Sequence, residues 1–202
     1  MSTIESTFDK ILFWAKERNL IKGSTPMAQF IKLISEFGEL CEHLYYAEEN
    51  LIVTEKIKDD IGDCSVVLRI LSAQMHINFE EILYIDTIPY RGDIEQSRTL
   101  LLGQTLGSMA DSILKNDIDT SRTMIGLSLH FLQEIAQYHG FDYIDCVKHA
   151  YNDIKDRKGV MYNGAFIKST DAHYAEVLKA LQVELNGEVT QSVIDEMKKD
   201  NK

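Results

Sequence analysis

The chain has 202 residues, 45% of them hydrophobic, with 21 basic against 32 acidic side chains and a formal charge of −11. That length fits one mid-sized domain or two small ones with ample apolar surface for a core. The acidic balance disfavours a nucleic-acid partner, because such surfaces rely on Lys and Arg displacing phosphate counterions.

In chain order, Met1 to Lys10 is polar and lacks a signal-peptide h-region, and no later apolar run approaches the roughly 20 residues of a membrane span. A cytoplasmic protein without a membrane partner is expected. Trp14, the single tryptophan, falls in a first helix near Asn19 and reads either as core or as a stacking surface for a planar base. Gly23-Ser24-Thr25-Pro26 places a hydroxyl cap before a proline suited to a first helical turn. From there Phe30, Leu33, Ile34, Phe37, Leu40, Cys41 and Leu44 predict one buried helix face running to about Glu49. Ile57, Ile61, Cys64, Leu68, Leu71 and Met75 mark the next helix, and Val66, Val67 and Ile70 make it apolar on nearly every side, as a central helix would be. With only Pro26 and Pro89 as prolines and helical apolar spacing in most segments, the chain reads as all-α. Cys41, Cys64 and Cys146 are odd in number and show no C-x-x-C spacing, so they read as core thiols rather than disulfides or zinc ligands.

Two carboxylate pairs stand out, Glu36/Glu39 and Asp60/Asp63, each at i,i+3 on one of these two helices. At about 100° per residue, Gln29, Lys32, Glu36, Glu39 and His43 share one arc of about 80° beside the apolar stripe. Asp60 flanks the apolar arc of the second helix, and Asp63 lies near Val67 and Ile70. Four acids gathered in a partly dry crevice repel one another, and protonation or bound cations relieve them. Carboxylates without His or Cys suit Mg²⁺ or Mn²⁺, and a magnesium site leaves room for substrate phosphates. The plain alternative is two pairs of ordinary surface charges.

The chain also echoes itself. Ala73-Gln74-Met75-His76 returns as Ala136-Gln137-Tyr138-His139, and Ile61-Gly62 as Ile125-Gly126. Glu36 to Leu40 then meets Thr105 to Met109, while Asp60 and Asp63 meet Met124 and Leu127, so the second copy keeps its hydrophobic pattern and loses every metal-type acid. Such a copy suits a packing partner for the active half, although chance likeness among helices remains the alternative. The boundaries expected are 1–90 for the active half, 91–168 for a degenerate half ending in a basic segment, and 169–202 for a helical tail.

These residues resemble the MazG-like all-α nucleoside triphosphate pyrophosphohydrolases, in particular small phage-type members. The likeness rests on Trp14 to Ile21, Gln29 to Leu40, Asp59-Asp60-Ile61-Gly62-Asp63, Ala150 to Gly159 and Gly164 to Lys168. It implies that Glu36, Glu39, Asp60 and Asp63 match the family's metal ligands for two or three Mg²⁺ ions, with Mn²⁺ as a substitute. It implies that Asn152, Lys155, Arg157 and Lys158 match its phosphate-facing segment, and that the reaction is (d)NTP to (d)NMP plus pyrophosphate. Two departures are visible: Asp60 stands where the family usually has Glu, and Ser35 replaces an acid often found before the first ligand. The separation of metal helices from basic segment by a degenerate copy resembles the related dimeric dUTPases.

On that reading Glu39 and Glu36 are the catalytic carboxylates, Glu39 accepting the proton of the attacking water. Arg157 offers a bidentate phosphate contact, with Lys155 and Lys158 as further cations and Asn152 as a hydrogen-bonding partner. Lys32 serves as a phosphate contact or an internal counter-ion, and Gln29 and Trp14 complete the substrate-binding set. A homodimer in the cytosol is expected, a bacterial host's if the chain is phage-encoded. Substrate options include a purine such as dGTP or a pyrimidine such as dUTP or dCTP, and an inactive nucleotide-sensing helical protein is the reading from another class.

Overall fold

The structure is a computed structural model that describes residues 3–47, 52–83 and 94–182. Its helices, in chain order, are α1 (Thr3–Glu17), α2 (Pro26–Tyr46), α3 (Ile52–Gln74), α4 (Glu80–Leu83), α5 (Ile94–Lys115), α6 (Ile118–Tyr138) and α7 (Tyr143–Ile154). After them come a hairpin of β1 (Gly159–Tyr162) and β2 (Ala165–Lys168), then α8 over 174–182. The protein is an all-α helical bundle, and none of the described helices is long and apolar enough to cross a membrane.

Local chemistry sets the helix boundaries. The Thr25 hydroxyl accepts the Ala28 N–H at 3.1 Å and Pro26 opens α2, as the Ser/Thr-Pro reading predicts. Asp117 and Asp142 cap α6 and α7 in the same way, accepting from Thr120 N and Ile144 N. Four helices stop by one device: Asn19, His76, Asn116 and Gly140 take positive φ. The amides of Leu20, Ile77, Asp117 and Phe141 then reach back to Ala15, Ser72, Ser112 and Ala136 carbonyls, each at 2.9 Å.

α3 sits at the centre, packed by α1, α2, α6 and α7. Ile57, Ile61, Cys64, Leu68, Leu71 and Met75 are buried, and so are Val66, Val67 and Ile70, which explains a helix apolar nearly all round. α7 approaches α3 closely at Gly62, where a Cβ would fall 2.3 Å from the Cys146 carbonyl oxygen and 2.7 Å from the Ala150 Cβ. One hydrophobic core joins residues from α1 through α7, crossing the expected boundary at residue 90.

Several sequence expectations need correction. α2 ends at Tyr46 with Ala47 as its cap, short of Glu49, which lies outside the described residues. Ile34 is 44% exposed rather than buried, because α3 and α5 cover only the arc holding Phe30, Leu33, Leu40 and Leu44. The basic segment, for which the sequence sets no secondary-structure expectation, follows the end of α7 and leads into the hairpin. Of the tail, Tyr174, Val177 and Leu181 are half-buried on α8 and Leu178 is exposed. Asn186-Gly187 and the residues C-terminal to them lie outside the described residues.

Two offsets set the internal echo against the helices. Moving α2 by 69 positions gives 95–115 against α5, and moving α3 by 64 gives 116–138 against α6. The C-terminal helix ends coincide under these offsets, as do the αL residues His76 and Gly140, while the N-terminal ends fall one or two residues apart. The Ala-Gln-x-His echo is offset by 63 and therefore one residue out of step with the helices that carry it. Thr105, opposite Glu36 in this register, is buried and gives its hydroxyl to Leu101 O at 2.8 Å.

Candidate functional site

Glu36 and Glu39 lie on α2 and Asp60 and Asp63 on α3, but among the described residues no three of these four bring ligand atoms within 4.8 Å of one another. Glu36 is 4% exposed and Asp60 5%, whereas Asp63 is half-buried and Glu39 exposed. Buried carboxylates are costly without a partner, and each has found one nearby. Lys32, one turn earlier on α2, forms an ion pair with Glu36. The His43 imidazole Nδ1 lies 2.5 Å from Asp60 Oδ2, linking the far end of α2 to α3.

Burial and charge couple these groups electrostatically. Burial pushes the Asp63 carboxyl up to about 7, and the charges of Asp59 and Glu36 add to it against Lys32 and Arg157. Burial likewise raises Asp60 to about 6; His43 opposes this, while Asp59 and Glu39 reinforce it. Asp59 itself is raised, first by burial and then by Asp153 and Glu36, with His149 and Arg157 opposing. Desolvation and mutual repulsion raise these carboxyls, and a cation placed nearby would oppose both effects.

A cleft of about 900 Å³ opens from this acidic edge. Glu36, Asp63 and Lys32 line one part of it; Trp14, Leu20, Val66, Val67, Ile70 and Met161 form an apolar wall; Arg157, Lys158 and Lys168 supply cations from the segment after α7. Gln29 also lines the cleft, buried, with its amide nitrogen donating to Ser24 Oγ at 3.2 Å. Trp14 is 8% exposed with Arg18 Cζ 5.0 Å from its ring centroid, so it belongs to the core and to the cleft at once.

The cationic side is tied down by the turn between α1 and α2. Arg18 Nε donates to Arg157 O at 2.7 Å and Nη2 to Lys155 O at 3.2 Å. Met161 N donates to Arg18 O at 2.8 Å, Asn19 Nδ2 to Met161 O at 3.0 Å, and Gly164 N to Gly23 O at 3.2 Å. Gly23 permits this approach, because a Cβ there would lie 2.6 Å from Met161 O. The Asn19 side chain is thus committed to holding the hairpin.

Trp14, Gln29, Lys32, Glu36, Asp63, Arg157 and Lys158 therefore share one cleft. Glu39 and Asp60 sit on the same two helices beyond its lining residues. Asn152 and Lys155 are exposed and bond to each other, Lys155 Nζ to Asn152 Oδ1 at 2.8 Å, outside that lining. Sequence reasoning overlooks Asp59, His149 and Asp153, which converge between α3 and α7. The i,i+4 spacing of His149 and Asp153 is a visible signal, but their meeting with Asp59 depends on how the helices pack.

A protein of Haemophilus phage HP1 (strain HP1c1), described as an uncharacterized 18.2 kDa protein in the rep-hol intergenic region, is 45% identical over 78 residues. The match covers 39% of this chain and 45% of that protein, so the chain spans less than half of its relative's length. No family model matches the chain, and no solved structure matches it.

Proposed function

We propose that this chain is a Mg²⁺-dependent pyrophosphohydrolase that cleaves a (d)NTP to the (d)NMP and pyrophosphate. The observation that carries this reading is one cleft combining a carboxylate edge (Glu36, Asp63), a cationic rim (Arg157, Lys158, Lys168) and an apolar wall containing Trp14. Those surfaces match the chemistry of a metal-bound triphosphate and of a base at once. The sequence likeness to the MazG-like enzymes supports the same assignment.

Glu36, Glu39, Asp60 and Asp63 would hold the cations, two or three in number, with Mn²⁺ as a substitute. When bound, Mg²⁺ neutralises charge on phosphate oxygens and acidifies the attacking water. Glu39, one turn beyond Glu36 on α2, accepts the water proton. Arg157 would take a phosphate bidentately, Lys158 would add charge at the rim, and Lys32, paired with Glu36 here, would serve as a further phosphate contact or remain the internal counter-ion. The base lies against Trp14, with Gln29 at its edge. Purine substrates such as dGTP and pyrimidine substrates such as dUTP or dCTP both fit this description. The partial likeness to a phage protein supports a phage-encoded enzyme working on the nucleotide pool of a host cytosol.

The test is incubation with each (d)NTP and Mg²⁺, followed by product separation. Release of NMP and pyrophosphate is expected. Orthophosphate release, or no turnover of any nucleotide, would overturn the reading, and thermal stabilisation by Mg²⁺ and nucleotide without turnover would mark a sensor instead.

A further inference from the structure

We infer that Asp59, His149 and Asp153 form a separate divalent-cation site, bridging α3 and α7 and suited to a d-block ion such as Mn²⁺, Co²⁺ or Zn²⁺ rather than Mg²⁺. One ligand atom from each residue lies within 4.8 Å of the others. His149 Nε2 is 3.6 Å from Asp59 Oδ1 and 3.9 Å from Asp153 Oδ2. Both separations exceed a hydrogen bond. The three groups thus converge without closing on one another, and a modest contraction would bring them to the spacing of donors around one ion.

The placement is rigid where it matters. His149 and Asp153 are one turn apart on α7 and project from one helix face. Asp59 lies one turn before Gly62, the point at which α3 meets the backbone of α7 at Cys146 and Ala150. Packing at that contact sets the two helix backbones from which the donors project. The side chains of Asp59 and His149 are each 40% exposed and that of Asp153 is 53%, so an ion can enter from solvent and keep water ligands.

Donor type sets the preference. An imidazole nitrogen with two carboxylates suits Mn²⁺, Co²⁺ or Zn²⁺, whereas the neighbouring Glu36/Glu39/Asp60/Asp63 set offers only oxygens and suits Mg²⁺. An ion at the imidazole site would clamp α7, whose end leads into Arg157 and Lys158, to the helix bearing Asp60 and Asp63. Metal binding there is independent of whether the neighbouring cleft hydrolyses a nucleotide.

The test is equilibrium dialysis of the full chain against Co²⁺ in a large excess of Mg²⁺, with the cobalt visible spectrum recorded in parallel. One Co²⁺ per chain is expected for the unmodified protein, with at least a tenfold weaker affinity in His149→Gln and in Asp153→Asn. Helical circular dichroism of both variants checks that the fold persists, which the exposure of these side chains favours. Cobalt binding equal in the protein and both variants, or none resisting Mg²⁺, would overturn the proposal. The dialysis reads no hydrolysis, so its failure is distinguishable from failure of the pyrophosphohydrolase reading.

Discussion

Glu39 and Asp63 differ in environment although the sequence presents them alike. Glu39 is exposed on α2, so Glu39→Gln should leave the helical spectrum and melting temperature unchanged. The same change is expected to lower NMP release by about 100-fold or more, the size of a general-base contribution; a near-normal rate would remove Glu39 from the chemistry. Asp63 and Asp60, raised to about 7 and about 6, lead to a prediction about pH. A carboxyl whose folded pKa is raised binds its proton more tightly in the folded state. Its contribution is fully present below about pH 4 and lost as pH rises through 6 and 7. The metal-free protein should therefore melt at a higher temperature at pH 5 than at pH 8, all else equal, and added Mg²⁺ should raise the melting temperature more at pH 8. Scanning calorimetry at both pH values, with and without Mg²⁺, checks this.

At the scale of elements, two glycines with the same sequence appearance behave oppositely. Gly62→Ala drives a methyl group into α7 backbone at Cys146, which cannot retreat cheaply, and should cost about 2–3 kcal/mol in urea unfolding. Gly38, on α2, has nothing within 4 Å of an added Cβ. Gly38→Ala should stabilise by up to about 1 kcal/mol through helix propensity alone. Periodicity exposes both helices and their polar faces, and residue type exposes the Thr25-Pro26 start, because these signals are local. It does not show which arc of α2 its neighbours cover, so it puts Ile34 on the wrong side. The β-hairpin is also hidden, because its position depends on Arg18, Asn19 and Gly23, well over a hundred residues earlier in the chain.

For the whole molecule, α1, α2, α3 and the segment after α7 of one chain meet around the cleft. The α5–α6 hairpin, matched in helix length to α2–α3, packs against that pair and shares its core. Turnover per chain should therefore stay constant on dilution, whether or not copies associate. Rates measured across a dilution series beside sedimentation analysis would check this, and a specific activity that falls as a dimer dissociates would contradict it.

From the sequence by itself came the helical class, the approximate extents of α2 and α3, the four acids and the basic segment, all carried by short-range spacing and residue chemistry. Only the tertiary structure decided that Glu36 and Asp60 are buried while Glu39 is not, that His43 meets Asp60, and that Asp59 meets His149 and Asp153 across two helices. The reason is physical: a periodic pattern states which face of a helix is apolar, but desolvation and charge coupling depend on the neighbours that packing brings to that face.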